Sequence, residues 1–175
     1  WKKILGSKTL KNNINKKKVL IATLSGGHKV ASTIDSLLGV GLNLKGANIS
    51  YLLCDQFLES CIMKTQRYNV NSHKNKILNN KLCKDCFDCG QIAYRGTGFN
   101  FFKLSNYFNT VHNKKIREII KKNKSLQKMT NFKLDDINIG EHVSANISRY
   151  YAVSNYKKER NIKLVAKNYF KSALK

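Results

Sequence analysis

The sequence contains no proline, and only 10 Asp and Glu stand against 33 Lys and Arg, a formal net charge of +23 over 175 residues. It has no run of about 18 apolar residues, which excludes an ordinary membrane-spanning helix. Its basic, Asn-rich start lacks the apolar stretch of a signal peptide, so the chain reads as cytoplasmic. The G-x-G-x-x-G fingerprint is missing, which argues against dinucleotide binding. Arg clusters interleaved with stacking aromatics are also scarce, and these mark proteins that grip phosphate, because the planar guanidinium pairs with it in bidentate fashion. An excess of Lys over Arg, abundant Asn and no proline together form the composition that an AT-rich coding sequence imposes. The charge alone is therefore weak support for nucleic-acid binding.

What is present suffices for a folded protein. Apolar and aromatic residues make up 42%, enough to bury a core and to exclude a disordered basic tail. The length fits a single domain spanning residues 1–175. A first residue Trp1 rather than Met reads as a fragment of a longer protein. The cysteines number five, three of them crowded together, and in a reducing compartment that points to metal or free thiols before disulfides.

Hydrophobic patterning predicts an α/β fold. The β-branched and aliphatic run Lys18–Leu24 stops at Ser25-Gly26-Gly27-His28, as a buried parallel strand stops at a glycine turn. From Lys29 to Leu44 the apolar residues Val30, Ile34, Leu37, Leu38, Val40 and Leu44 take a helical period, with Gly46 as the C-cap signal. A second strand, Asn48–Cys54, ends in Asp55. Strand, turn, helix and strand form a βαβ unit with parallel strands, the seed of a Rossmann-like domain with a mostly parallel sheet flanked by helices. Further helices are expected over Gln56–Tyr68, Leu104–Phe108, Val111–Met129, Ile139–Tyr151 and Asn161–Leu174. Asn69–Lys81 is expected to be an exposed loop.

Three motifs carry candidate chemistry. The glycine turn places backbone N–H groups and a helix N-terminus at the carboxyl edge of a parallel sheet, where ligands of doubly wound folds bind. Gly26 and Gly27 would let a ligand approach the main chain, with His28 as base or positioner; the competing reading is a plain turn with His28 as a cap. Cys83, Cys86 and Cys89 stand at C-x2-C-x2-C, with Cys61 the preferred fourth ligand over Cys54. This set suits a structural zinc ion, an iron-sulfur cluster, or free thiols. Gly140-Glu141-His142 opens a helix that carries Arg149 further along. Glu141 suits the positive helix N-terminus or a sugar hydroxyl, and Arg149 suits a phosphate or Glu141 itself.

These segments resemble a family. Lys18–Leu24, the Gly-Gly-His turn, Tyr51-Leu52-Leu53-Cys54-Asp55, Cys61, the C-x2-C pair, and Ile139-Gly140-Glu141-His142-Val143 followed by Arg149-Tyr150 resemble the N-terminal half of bacterial surface-polysaccharide (capsule-type) glycosyltransferase-like proteins. The Gly-Gly-His turn also looks like that of the peptidoglycan lipid-intermediate glycosyltransferases. The resemblance implies a two-domain Rossmann-like (GT-B) architecture in which this chain is the acceptor-side part and a nucleotide-sugar donor binds mainly to a C-terminal domain. It implies that Gly26, Gly27 and His28 border the cleft, that Glu141 and His142 form its wall, and that Asp55 and Arg149 complete the substrate-binding set. The implied partner is a saccharide or lipid-linked acceptor; the basic Val111–Met129 segment, read from its own charge, suits either an anionic membrane surface or a solvated Lys face. The rival expectation is a nucleic-acid-binding or ribosome-associated module with a zinc knuckle.

Overall fold

The structure, a computed structural model, describes residues 17–67 and 76–175. By its contacts the described chain divides into two compact units, one comprising residues 17–57 and 80–107 and the other residues 58–67, 76–79 and 108–175. The first contains a three-stranded parallel sheet and the second is helical among its described residues.

In the first unit β1 (Lys18–Leu24), α1 (Lys29–Leu44) and β2 (Asn48–Leu53) follow the expected βαβ order. β3 (Asn100–Lys103) joins β2 in parallel, with Tyr51 opposite Phe101, so the strand order is β1-β2-β3. The architecture is α/β and compatible with a Rossmann-like fold. Alternation along β2 turns Ile49, Tyr51 and Leu53 inward, all nearly or fully buried, and leaves Ser50 and Leu52 on the opposite face. That opposite face, with Leu20 and Phe102 exposed, borders an open depression of about 540 Å³.

Two helices cover the Tyr51 face. Tyr51 stacks on Tyr94 of α3 (Lys76–Arg95), with ring centroids 4.0 Å apart and planes 3° from parallel. Gly39 of α1 lies over the Tyr51 hydroxyl, where a Cβ would sit 2.1 Å from the oxygen. The helix comes this close because its inward face is small and polar. Ser32, Asp35, Ser36, Gly39, Val40 and Asn43 are buried. The Ser36 hydroxyl donates to the Ser32 carbonyl at 2.7 Å, and the Asn43 amide donates to the Ala47 carbonyl at 2.9 Å. The Asp35 carboxylate accepts the Tyr94 hydroxyl at 2.9 Å, so its charge is met by a donor, while the buried Asn43 Oδ1 has no hydrogen-bond partner among the described residues. Burial, followed by the bond and charge of Asp35, raises the Tyr94 phenol well above the usual tyrosine range. The helical period of this segment was legible, but its apolar side is the one facing outward.

The second unit is built from α2 (Ile62–Arg67), α4 (Thr110–Lys122), α5 (Leu126–Thr130), α6 (Ile139–Tyr151) and α7 (Ile162–Ala173). Ile139, Val143 and Ile147 form an i, i+4, i+8 stripe on α6 that packs on Val165, Ala166, Tyr169 and Phe170 of α7. Phe132 meets Phe170 edge to face at 5.1 Å. α4 starts at a capping box in which Asn109 Oδ1 accepts the His112 N–H at 2.9 Å, and it buries Ile116. Glu59 is held by Lys171 and by Lys175, the latter at 3.0 Å.

Several element expectations change. Among the described residues helix is found only at Ile62–Arg67 within the expected Gln56–Tyr68, and α3 begins at Lys76, inside the expected loop; residues 68–75 lie outside the described part. Asn123-Lys124-Ser125 divides the expected Val111–Met129 helix into α4 and α5, because the Ser125 hydroxyl accepts the Lys128 N–H and starts a new helix. Leu104–Tyr107 forms a 3₁₀ turn. No helix among the described residues is long and apolar enough to cross a membrane.

Candidate functional site

The carboxyl edge of the parallel sheet is where the glycine turn, Cys54-Asp55 and the turn after β3 emerge. The turn after β1 is filled from one side by its own chain. A Cβ on Gly26 would stand 2.5 Å from Gly90 Cα and 2.6 Å from the Cys86 carbonyl oxygen, both on α3. A Cβ on Gly27 would meet Cys86 at 3.1 Å, and the Gly27 N–H donates to Cys86 Sγ at 3.1 Å. The close approach these glycines permit is that of α3, which explains both of them without a ligand.

His28 occupies the N-cap of α1. Its Nδ1 accepts the Ala31 N–H at 3.2 Å, satisfying one of the donors a helix start leaves unpaired. A ring nitrogen that accepts in this way carries no proton, so in the neutral imidazole the hydrogen sits on Nε2. His28 therefore offers a donor beyond the cap. The geometry favours a positioning role over a base role.

Two non-glycine residues at this edge hold left-handed backbones: Leu24 at φ 63°, the last residue of β1, and Gln56 at φ 69°, just past β2. Each such residue costs about 1–3 kcal/mol, and such strain gathers at ligand sites. The Ser25 hydroxyl between Leu24 and the glycines is closed to solvent and has no hydrogen-bond partner among the described residues. Asp55 is engaged, its carboxylate accepting the Ser105 N–H at 3.0 Å and the Ser105 hydroxyl. That pair ties the end of β2 to the turn after β3. Ser105 was not evident from the sequence, since it follows a four-residue strand too short to show a period.

The cysteines occupy a helix rather than a turn. Cys83, Cys86 and Cys89 lie within α3, where spacing of three puts successive residues roughly one turn apart. Cys86 meets the glycine turn and Cys61 belongs to the second unit. Among the described residues no group of three or more His, Cys, Asp and Glu is placed to hold a metal ion. All five cysteines are free of disulfides.

Gly140, Glu141 and His142 form the first turn of α6 in the second unit. Gly140 is explained by packing: its N–H donates to the Phe132 carbonyl at 2.8 Å, and a Cβ would stand 2.3 Å from the Thr130 carbonyl oxygen. Glu141 accepts from the Asn138 amide at 3.1 Å and borders an open depression of about 850 Å³ together with Ser144, Tyr156 and Lys157. His142 is exposed, and adjacent residues of a helix do not face each other, so it does not share a proton with Glu141. Arg149 donates to Asn146 at 3.0 Å rather than to Glu141. Tyr156 and Lys157 escaped sequence reasoning because they sit in a polar break with no motif.

The basic α4 segment has most of its apolar side occupied: Ile116 is buried, and Ile119 and Ile120 pack on the α6–α7 core, while Val111 in its first turn is exposed. What it presents outward is charge, with Lys114, Lys115, Lys121 and Lys122 exposed. No family model, no curated protein and no solved structure matches the chain.

Proposed function

We propose that the chain is the acceptor-side part of a two-domain glycosyltransferase of the GT-B type, acting in surface-polysaccharide assembly. In the whole enzyme a hydroxyl oxygen of a saccharide or lipid-linked acceptor attacks the anomeric carbon of a nucleotide-sugar. The bond from that carbon to the nucleotide diphosphate breaks, the diphosphate leaves with the electron pair, and the hydroxyl proton passes to a base. The observation that carries the reading is the carboxyl edge of the parallel sheet, where His28 caps α1 through Nδ1 and so holds a donor at Nε2. The strained Leu24 and Gln56 and the unpartnered Ser25 hydroxyl at the same edge support it.

On this reading His28 donates to an oxygen of the acceptor and positions it, while Asp55 and Ser105 keep the edge in shape. The donor sugar is bound mainly outside the residues present. Glu141, at the wall of the depression in the second unit, is the next candidate for contact with a saccharide.

The test compares His28→Ala and His28→Asn in a transfer assay on the whole enzyme. Asn retains an N-cap acceptor, but its amide N–H groups stop one bond short of the position from which the imidazole Nε2 donates. Both variants are expected to lose transfer, with only His28→Ala losing helix stability. Transfer unchanged in His28→Asn would remove His28 from the site. Tight binding of unrelated RNA with a steep salt dependence would instead favour the nucleic-acid-binding module.

A further inference from the structure

α1 is inverted relative to an ordinary surface helix. Its buried face is Ser32, Asp35, Ser36, Gly39, Val40 and Asn43, while Val30 is 64% exposed, Ile34 57%, Leu37 52%, Leu38 50% and Leu44 59%. A contiguous apolar stripe of this kind on a folded domain marks an interaction surface. The positions Val30, Ile34, Leu37, Gly41 and Leu44 follow one another at intervals of four, three, four and three residues, the seam by which one helix packs along another.

Gly41 lies within that seam, and a Cβ built on it meets nothing within 4 Å. Glycine inside a helix costs about 1 kcal/mol against alanine, and here no contact among the described residues repays it. It leaves a hole in an otherwise bulky stripe.

We propose that α1 is a homodimer interface in which two copies of α1 pack antiparallel about a two-fold axis passing between Leu37 and Leu38. In that register Ile34 of each copy falls opposite Gly41 of the other, so a knob meets a hole twice. Leu37 falls opposite Leu38, and Ala31 opposite Leu44. The stripe is thus self-complementary, as a two-fold contact requires. Five side chains exposed by half or more amount to roughly 500 Å² per copy, so a pair buries at most roughly 1,000 Å², the size of a weak, reversible interface.

Charge gives the dimer a signature. Each copy carries a formal +23, and the register brings Lys29 and Lys45 of opposite copies near one another at both ends of the seam. Association is therefore expected to strengthen with salt, since ions screen the repulsion while apolar contact remains. Binding to nucleic acid or to anionic lipid would respond to salt in the opposite sense.

The experiment is sedimentation equilibrium of the full chain in about 0.1 M and about 0.5 M NaCl, with circular dichroism as a check on folding. The wild type is expected to form dimers whose affinity rises severalfold at the higher salt. Gly41→Leu fills the hole, faces open space in the monomer, and is expected to weaken the dimer by tenfold or more without loss of thermal stability. Adding Ile34→Ala to Gly41→Leu exchanges knob and hole, and is expected to restore most of the affinity. A wild type that stays monomeric at both salts overturns the proposal, whether or not the stripe then binds anionic vesicles. So does a dimer indifferent to Gly41→Leu, or one that the double substitution fails to restore.

Discussion

Gly26→Ala separates a glycine kept for a ligand from one kept for packing. The added methyl would lie 2.5 Å from Gly90 Cα, 2.6 Å from the Cys86 carbonyl oxygen and 2.7 Å from Gly90 N. Carbon contacts are favourable near 3.5–4.0 Å, so α3 must retreat by about 1 Å, and because all three atoms are backbone no rotamer change relieves the clash. Overpacking of this kind costs about 1–3 kcal/mol, and an immobile neighbour places the value at the upper end. Reduced freedom of the unfolded chain returns about 0.4–1 kcal/mol, leaving a net loss of about 2 kcal/mol. The assay is urea unfolding followed by circular dichroism, with hydrogen exchange of the β1 and α3 amides to assign the loss to the first unit. Gly90→Ala should behave alike, since its Cβ would stand 2.6 Å from Gly26 Cα. The two losses should add to less than their sum, because either one already separates the same pair. A Gly26→Ala protein within about 0.5 kcal/mol of wild type would refute the packing explanation and return the glycine to a ligand.

Other outcomes follow from the same structure. Gly140→Ala is expected to destabilise the second unit by about 3 kcal/mol, because its Cβ would meet backbone atoms of Thr130 and Phe132 at 2.3–2.6 Å; hydrogen exchange in α6 and α7 reads it. Tyr94→Phe removes the hydroxyl that donates to the buried Asp35 carboxylate and is expected to cost about 2 kcal/mol in urea unfolding. For Glu59, burial pushes the carboxyl upward but Lys171 and Lys175 outweigh it, so the folded-state value lies below the ordinary 4.5. A carboxyl depressed on folding stabilises above its unfolded value and loses that contribution as pH falls through the folded one. Stability should therefore decline below about pH 4.5, and Glu59→Gln should flatten the decline while costing about 1 kcal/mol or less at pH 7, as for a partly exposed pair. Gln56→Gly, at an exposed left-handed position, is expected to stabilise slightly, by about 0.5 kcal/mol, in the same unfolding assay.

How far the fold was legible depended on the length and regularity of each element. Lys18–Leu24, Lys29–Leu44 and Ile139–Tyr151 were readable to the residue, because each joins a clear period to a clear stop such as the Gly26-Gly27 turn or Gly46 at φ 94°. β3 was not, since Asn100–Lys103 is four residues long and presents no alternation to detect. The spacing of Cys83, Cys86 and Cys89 is shared by metal-binding turns and by one face of a helix, so it could not tell the two apart. The glycines of the turn and of Gly140-Glu141-His142 were visible as motifs. What approaches them, α3 in one case and the Thr130–Phe132 backbone in the other, comes from distant parts of the chain and leaves no local trace. For the same reason the period of α1 declared a helix without declaring which side Tyr51 and Tyr94 would cover.

The most direct measurement is an NMR titration of the isotopically labelled chain with soluble glycosyl diphosphates, the head groups of lipid-linked acceptors, watching the His28 imidazole and the Ser25 and Gly27 amides. Saturable shifts at His28 Nε2 and at the Ser25 amide, the Ser25 shift being lost in His28→Asn, are the result expected of an acceptor site at the carboxyl edge of the sheet. No shift at these residues up to millimolar saccharide, alongside salt-sensitive binding of unrelated RNA, would contradict it.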